Sequence, residues 1–166
     1  AGASGAVTAT FTIVNDVPAD GKFEITFPTG FDVSSATITS ISGQGGTAGT
    51  GHTIAIDGQI VTVTRGITGT PGQAPEAFTT GVTTVVLGSV KNPGISGTTG
   101  TYNITTTNTA GTAIDTLTTV TGSTLTPGVI TNADVTPASL VAGASGAVTA
   151  TFTIVNDVPA DGKFEI

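Results

Sequence analysis

Four oxygen-bearing side chains near the start of the chain could bind a metal ion. They are Asn15, Asp16, Asp20 and Glu24. Carboxylate and amide oxygens in a loop are the ligands that Ca²⁺ prefers. Their spacing, however, lacks the regular Asp pattern and the glycine of a calcium-binding loop. A solvated turn is therefore the preferred interpretation, and a Ca²⁺ site is the alternative. No other metal or cofactor is expected.

Residues for catalysis are few. His52 is the only histidine, so the sequence supplies no pair of histidines for zinc and little material for a Ser-His-Asp triad. The glycine-rich stretch at Gly43, Gly45 and Gly46 is not followed by a helix that could cradle a phosphate. Paired acids for glycoside hydrolysis need a cleft lined with aromatic residues, which make up only 5% of this chain. We therefore expect no enzyme activity, and we expect His52 to pack or to form hydrogen bonds.

Hydroxyl and amide side chains on outward strand faces could carry sugars. The segment Asn103-Ile104-Thr105 is an N-glycosylation sequon, and several threonine runs could accept O-linked sugar. The candidate glycosylation sites are Asn103, Thr101, Thr105, Thr107 and Thr118. A threonine-rich face is also what strand propensity alone selects, so glycan decoration and plain strand formation both stay open.

Hydrophobic alternation predicts β-strands along the whole chain. Apolar residues alternate with threonines from Val7 to Ile13, and Phe23, Ile25 and Phe27 alternate with polar residues. Further strands are predicted at Gly81–Val90, as a central strand, and at Gly100–Thr107, Ala113–Val120 and Val129–Val135. About eight to ten short strands per repeat, with frequent turn signals and no helical periodicity, predict an all-β fold, specifically an immunoglobulin-like antiparallel β-sandwich. The expected core residues are Phe11, Phe23, Phe27, Val61, Val86 and Ile104.

One hairpin has a clear turn signal at Asp57-Gly58. A two-residue type I′ turn there would join His52–Ile56 to Gln59–Arg65. It would pair Ile56 with Gln59 and Ile54 with Val61. That register places the apolar side chains of both strands on one face, which supports it.

The chain repeats its own beginning. Residues 142–166 are identical to residues 1–25, at an offset of 141 residues. Identity of this length is typical of a repeat architecture, so we expect a segment of a longer array. Residues 1–131 are expected to form one β-sandwich repeat that lacks its opening linker. Residues 132–141 are expected to be the inter-repeat linker, and residues 142–166 the first strands of the next repeat.

The repeated strands cannot fill their own domain twice. They must open the next domain of the same chain or occupy a vacant position in a separate subunit by strand donation. The apolar residues of this polymerisation segment are Val148, Phe152, Ile154, Phe164 and Ile166.

Composition and charge exclude two classes of partner. Charged residues make up 9% of the chain, and the formal net charge is −7. There are too few Lys and Arg to neutralise nucleic-acid phosphates, and no apolar run is long enough for a membrane-spanning helix. Low charge on long strand edges is an aggregation hazard, which sugar on outward hydroxyls would reduce.

Several segments together resemble a known kind of repeat. They are LVAGASGAVTATF (Leu140–Phe152) with its continuation in Phe11–Phe31, GQIVTVTR (Gly58–Arg65), VVLGSVKNPGISGTTGTYNITTT (Val85–Thr107) and GTAID (Gly111–Asp115). These segments resemble the tandem β-sandwich repeats of very large secreted bacterial surface and biofilm-matrix proteins, of the tandem β-motif biofilm fibre type. The resemblance implies an extracellular, non-enzymatic filament or stalk at the cell surface, and it transfers no catalytic residue.

Two functions from different classes follow. The first is a structural building block of an extracellular fibre or biofilm matrix, which is extended by tandem repeats or by strand donation between copies of itself and is decorated with glycans. The alternative is a repeat of a cell-surface adhesin that displays a carbohydrate- or protein-binding module. Ligand-binding modules tend to diverge in their loops, whereas here the loop Asn15–Gly21 is copied without change. This identity favours the structural building block.

Overall fold

The computed structural model describes residues 1–43, 51–65 and 77–166. These residues form twelve β-strands and no helix. The strands are β1 (Ser4–Ile13), β2 (Lys22–Thr26), β3 (Thr37–Gly43), β4 (Thr53–Asp57), β5 (Ile60–Thr64), β6 (Gly81–Lys91), β7 (Gly97–Thr98), β8 (Tyr102–Thr107), β9 (Ala113–Val120), β10 (Thr124–Leu125), β11 (Thr131–Pro137) and β12 (Val148–Thr153).

Two antiparallel sheets enclose the core. One has three strands in the order β1-β6-β3, and the other has five in the order β4-β5-β2-β8-β9. The chain crosses between them repeatedly, because β1, β3 and β6 lie in one sheet and the strands between them lie in the other. Strands β7 and β10 form a separate two-stranded sheet, as do β11 and β12.

Alternation along the strands supplies the core from both sheets. The buried apolar residues of the three-stranded sheet are Phe11, Ile13, Ile41, Val85, Leu87 and Val90, and those of the five-stranded sheet are Phe23, Ile25, Val61, Val63 and Ile104. All of them belong to one packed cluster. Side chains that interdigitate between two sheets define a β-sandwich, so the predicted all-β sandwich is confirmed.

One expected core residue lies elsewhere. Val86 is only half-buried, whereas its neighbours Val85 and Leu87 are fully buried. The continuous apolar run in β6 predicted a central strand correctly, since β6 lies between β1 and β3. A run that is apolar at every position does not show which alternate residues face the core. Val86 was therefore expected in the core, whereas Val85 and Leu87 occupy it.

The turn between β4 and β5 differs from the prediction. Ile56 pairs with Val61 and Ile54 with Val63, so the turn residues are Gly58 and Gln59 rather than Asp57 and Gly58. Only Gly58 has a positive φ, of 57°, whereas a type I′ turn needs positive φ at both central residues. A shift of two residues preserves the strand faces, which is why the apolar face was predicted correctly despite the wrong register.

Strand β11 occupies most of the segment expected to be a linker. It pairs antiparallel with β12, from Thr131 opposite Thr153 to Pro137 opposite Val148. The segment between the sandwich and the repeated residues is therefore hydrogen-bonded strand over much of its length.

Candidate functional site

Two of the four candidate Ca²⁺ ligands, Asn15 and Asp16, form hydrogen bonds with other parts of the chain. The side-chain amide of Asn15 donates a hydrogen bond to Asp115 at 2.6 Å, and Asp16 accepts one from the Thr80 N–H at 2.9 Å. Glu24 lies in the middle of β2, opposite Thr62 and Thr105. Within the described residues, no group of three or more His, Cys, Asp or Glu side chains is placed to hold a metal ion.

Asp115 ties the loop after β1 to β9. Its carboxylate accepts hydrogen bonds from the backbone N–H groups of Val14 and Asn15 as well as from the Asn15 side chain. Partial burial raises the pKa of Asp115, but the hydrogen bonds from Asn15 and Val14 outweigh it and lower the pKa below 3.8. No pattern in the sequence predicts this contact, because it joins residues that are 100 positions apart.

His52 packs against an aromatic ring. Its ring centroid lies 6.1 Å from that of Phe78, and neither ring nitrogen has a hydrogen-bond partner among the described residues. Burial lowers the pKa of His52 below 6.5, and the positive charge of Arg65 lowers it further. A neutral, packed imidazole fits the expectation of a packing histidine.

The candidate glycosylation residues differ in exposure. Thr101 and Thr118 are exposed, whereas Thr105 and Asn103 are half-buried. The side-chain oxygen of Asn103 accepts a hydrogen bond from the Thr119 N–H at 3.1 Å.

Thr107 was wrongly placed on the outward face. It is only 2% exposed, so its hydroxyl is not accessible to an enzyme that attaches sugar. Gly21, which directly precedes β2, lies close to this end of β8, since a Cβ added to it would lie 3.0 Å from the Thr107 carbonyl oxygen. A register shift between Thr106 and Thr107 also interrupts the pairing with β9. The inward and outward alternation along β8 therefore does not predict the burial of Thr107, its last residue.

The repeated segment adopts two different environments. Ile13 is 1% exposed and its copy Ile154 is 43% exposed, while Phe23 is 1% exposed and its copy Phe164 is 57% exposed. The sequences are identical, so local propensity does not cause the difference. In the first copy β1 and β2 pack with β5, β6 and β8, whereas in the second copy the only strand partner among the described residues is β11.

The second copy nevertheless begins the same packing. The rings of Phe152 and Phe164 lie 5.2 Å apart, and the rings of the matching Phe11 and Phe23 lie 5.7 Å apart. Of the five residues of the polymerisation segment, Val148, Ile154, Phe164 and Ile166 are exposed and Phe152 is half-buried. The segment thus presents an apolar surface that the first copy buries.

A groove opens between the two sheets beside β1. Strand β1 is the edge of the three-stranded sheet, and β9 is the edge of the five-stranded sheet. The groove between them has a volume of about 260 Å³ beside Val7, Ala9, Ile104 and Val120. A second pocket of about 590 Å³ lies further along the same margin, beside Phe11, Ile104, Ile114 and Leu117. The three-stranded sheet is narrower than the five-stranded sheet, so it leaves this margin of the core uncovered.

Comparison of the chain with protein-family models, with curated proteins and with solved structures yields no match. A search of the described residues for a helix long and apolar enough to cross a membrane finds none. The repeated segment and the open edge of the sandwich are the two structural features that bear on function.

Proposed function

We propose that this chain is a structural building block of an extracellular fibre or biofilm matrix, in which identical β-sandwich units follow one another. The observation that carries the proposal is the identical pair of segments 1–25 and 142–166. Ile13 and Phe23 of the first copy are buried in the sandwich, whereas their copies Ile154 and Phe164 are exposed, although Phe164 already contacts Phe152 as Phe23 contacts Phe11. An exact internal repeat at an offset of 141 residues fits an array of units better than an isolated globular protein.

The surface supports the proposal in a second way. Two of the candidate residues for chemistry have structural contacts, since Asn15 is hydrogen-bonded to Asp115 and His52 packs against Phe78. Exposed threonines such as Thr101 and Thr118 offer attachment points for sugar on a surface with few charges. Glycans there would hydrate neighbouring fibres and keep them apart. The resemblance of several segments to the repeats of tandem β-motif biofilm fibres also supports this proposal.

Immunogold electron microscopy of the source material tests the proposal. Antibodies raised against the chain should label extracellular filaments along their whole length. Strand β6 has 11 residues, which span about 36 Å at roughly 3.3 Å per residue, so the filament repeat should be on the order of 40 Å. Labelling confined to filament tips would support the adhesin alternative, and labelling inside cells would refute both.

A further inference from the structure

The repeated sequence shows the same strand with two different neighbours. Strand β1 pairs with β6, and β12, which repeats residues 7–12, pairs with β11. If both neighbours used the same edge of the strand, they would compete for one position. If they use opposite edges, both can be present at once. The backbone hydrogen bonds decide between these cases.

The two neighbours use opposite edges. The Ala3 carbonyl accepts a hydrogen bond from Asn92 N–H next to β6, and the Ala147 carbonyl accepts one from Ala138 N–H next to β11. Ala147 is the copy of Ala6. Backbone groups of successive residues in a strand point to alternate edges, so residues three apart, such as Ala3 and Ala6, face opposite edges.

An irregularity in the β1–β6 pairing does not disturb this alternation. Between Gly5 and Val7, the partner residue on β6 changes from Val90 to Leu87. The extra residue therefore lies on β6, as in a β-bulge, and β1 continues regularly.

Two side-chain observations agree with the assignment. The hydroxyls of Thr10 and Thr84 lie 3.1 Å apart, as expected for a directly opposed pair without backbone hydrogen bonds between them. The Thr10 backbone then faces the open edge, and its copy Thr151 pairs with Asp134 of β11. Pro137, which has no N–H, lies next to the hydrogen-bonded pair Ala138 and Ala147, where an N–H would point away from β12.

The side chains of β11 match the groove beside β1. Val135 lies opposite Ala150 and Pro137 opposite Val148, which are the copies of Ala9 and Val7. Directly opposed residues project to the same face of a sheet. Seated beside β1, Val135 and Pro137 would enter the groove, whereas Asp134 and Thr136 would point outward beside threonines.

We propose that residues 131–137 are the edge strand of the following unit, and that the open edge of β1 is the docking site for residues 131–137 of a second copy. This proposal rests on the proposed function and specifies how its units connect. The three-stranded sheet would become four-stranded, with Pro137 in an edge strand, where proline is tolerated. Only residues 126–130 would then separate β10 from the first strand of the next unit.

Hydrogen exchange on the 166-residue chain tests the docking site. A synthetic peptide of residues 127–141 is added, and amide exchange is followed by NMR. The amides of Thr8, Thr10 and Thr12, which face the open edge, should exchange at least tenfold more slowly with the peptide. The amides of Val7, Ala9 and Phe11, which face β6, should change little.

Two matched peptides control for sequence-independent strand addition. The V135K peptide places a charge in the groove and should bind at least tenfold more weakly, because a lysine head group cannot be hydrated there. The T136K peptide carries the same charge on the outward face and should bind like the unchanged peptide. Equal binding of both variants would overturn the proposed register.

In a longer chain, residues 131–141 are placed directly before Ala1, so that the proposed edge strand is covalently attached and no peptide has to bind. This junction reproduces the natural sequence between Val141 and Ala142. Thr8, Thr10 and Thr12 should be protected in the extended chain, and added peptide should not bind. Unprotected amides in this chain would refute the docking site. If these amides are unprotected but antibodies label extracellular filaments, the docking site is wrong and the fibre function stands. If the amides are protected but no extracellular filaments are labelled, the docking site stands and the fibre function is wrong.

Discussion

The strongest test of the fold uses the repeat as its own control. Phe23 and Phe164 are the same residue in the same local sequence, but Phe23 is buried and Phe164 is exposed. Phe23 also packs edge-on against Phe11 and Phe78, with ring centroids 5.7 and 5.6 Å away. Replacing each phenylalanine with alanine removes the same atoms from two different environments.

The two substitutions should differ several-fold in free energy. A buried phenylalanine removes roughly 150 to 200 Å² from water, which at about 25 cal/mol per Å² contributes about 4 to 5 kcal/mol. Phe23→Ala should therefore cost about 4 kcal/mol, within the usual range for this substitution. Phe164→Ala should cost less than about 1 kcal/mol, since its contacts belong to an incomplete unit that can open locally.

Urea unfolding monitored by circular dichroism measures the difference. With a slope of about 2 kcal/mol per M, the midpoint should fall by about 2 M for Phe23→Ala and by less than about 0.5 M for Phe164→Ala. Equal shifts would refute the claim that only the first copy buries this phenylalanine. If Phe23→Ala does not fold, the Phe23→Leu and Phe164→Leu pair repeats the comparison at a cost below about 1.5 kcal/mol.

Three further predictions follow from single side chains. Burial, and to a smaller extent the charge of Arg65, lowers the pKa of His52, so near pH 6.5 the unfolded chain binds more protons than the folded chain. The free energy of unfolding should therefore fall as the pH drops through 6.5 towards the folded-state pKa. His52→Leu should remove this pH dependence in urea titrations at several pH values. Asp115→Asn should lower the free energy of unfolding by about 1 kcal/mol at pH 7 in the same assay. The stability that Asp115 contributes should be lost as the pH falls below 3.8 through its lowered pKa. If the variant and the unchanged chain lose stability equally in acid, Asp115 does not hold the loop after β1 to β9. Glycopeptide mass spectrometry of native material should find sugar on exposed residues such as Thr101 and none on buried Thr107, and a bare polypeptide mass would end the glycan proposal.

Much of the fold could be predicted from local pattern. Alternation in Val7–Ile13 and Phe23–Phe27 identified two strands and their inward faces, because period-two burial depends only on the pleat of the strand. The β4–β5 hairpin was predicted with the correct faces and the wrong pairing. A register shift of two residues leaves the hydrophobic pattern unchanged, so the pattern alone could not choose between the two turns.

The candidate site was less accessible from the sequence. The residues of the polymerisation segment were predicted from the copied letters in the chain, and their role stays a prediction. The contact of Asn15 with Asp115, the burial of Thr107 and the open groove beside β1 were not visible, since each depends on elements that meet only after folding. The calcium candidates were grouped by closeness in sequence, whereas hydrogen bonds of the fold assign Asn15 and Asp16 to separate partners.

The sequence by itself determined that the protein is built of β-strands and that its opening segment occurs twice. Only the tertiary structure decided what each copy does. Ile13 and Ile154 have the same neighbours along the chain and the same strand propensity, yet one is enclosed by the opposite sheet and the other is exposed. Burial of a strand face is a property of the surfaces that cover it, and those surfaces come from distant parts of the chain.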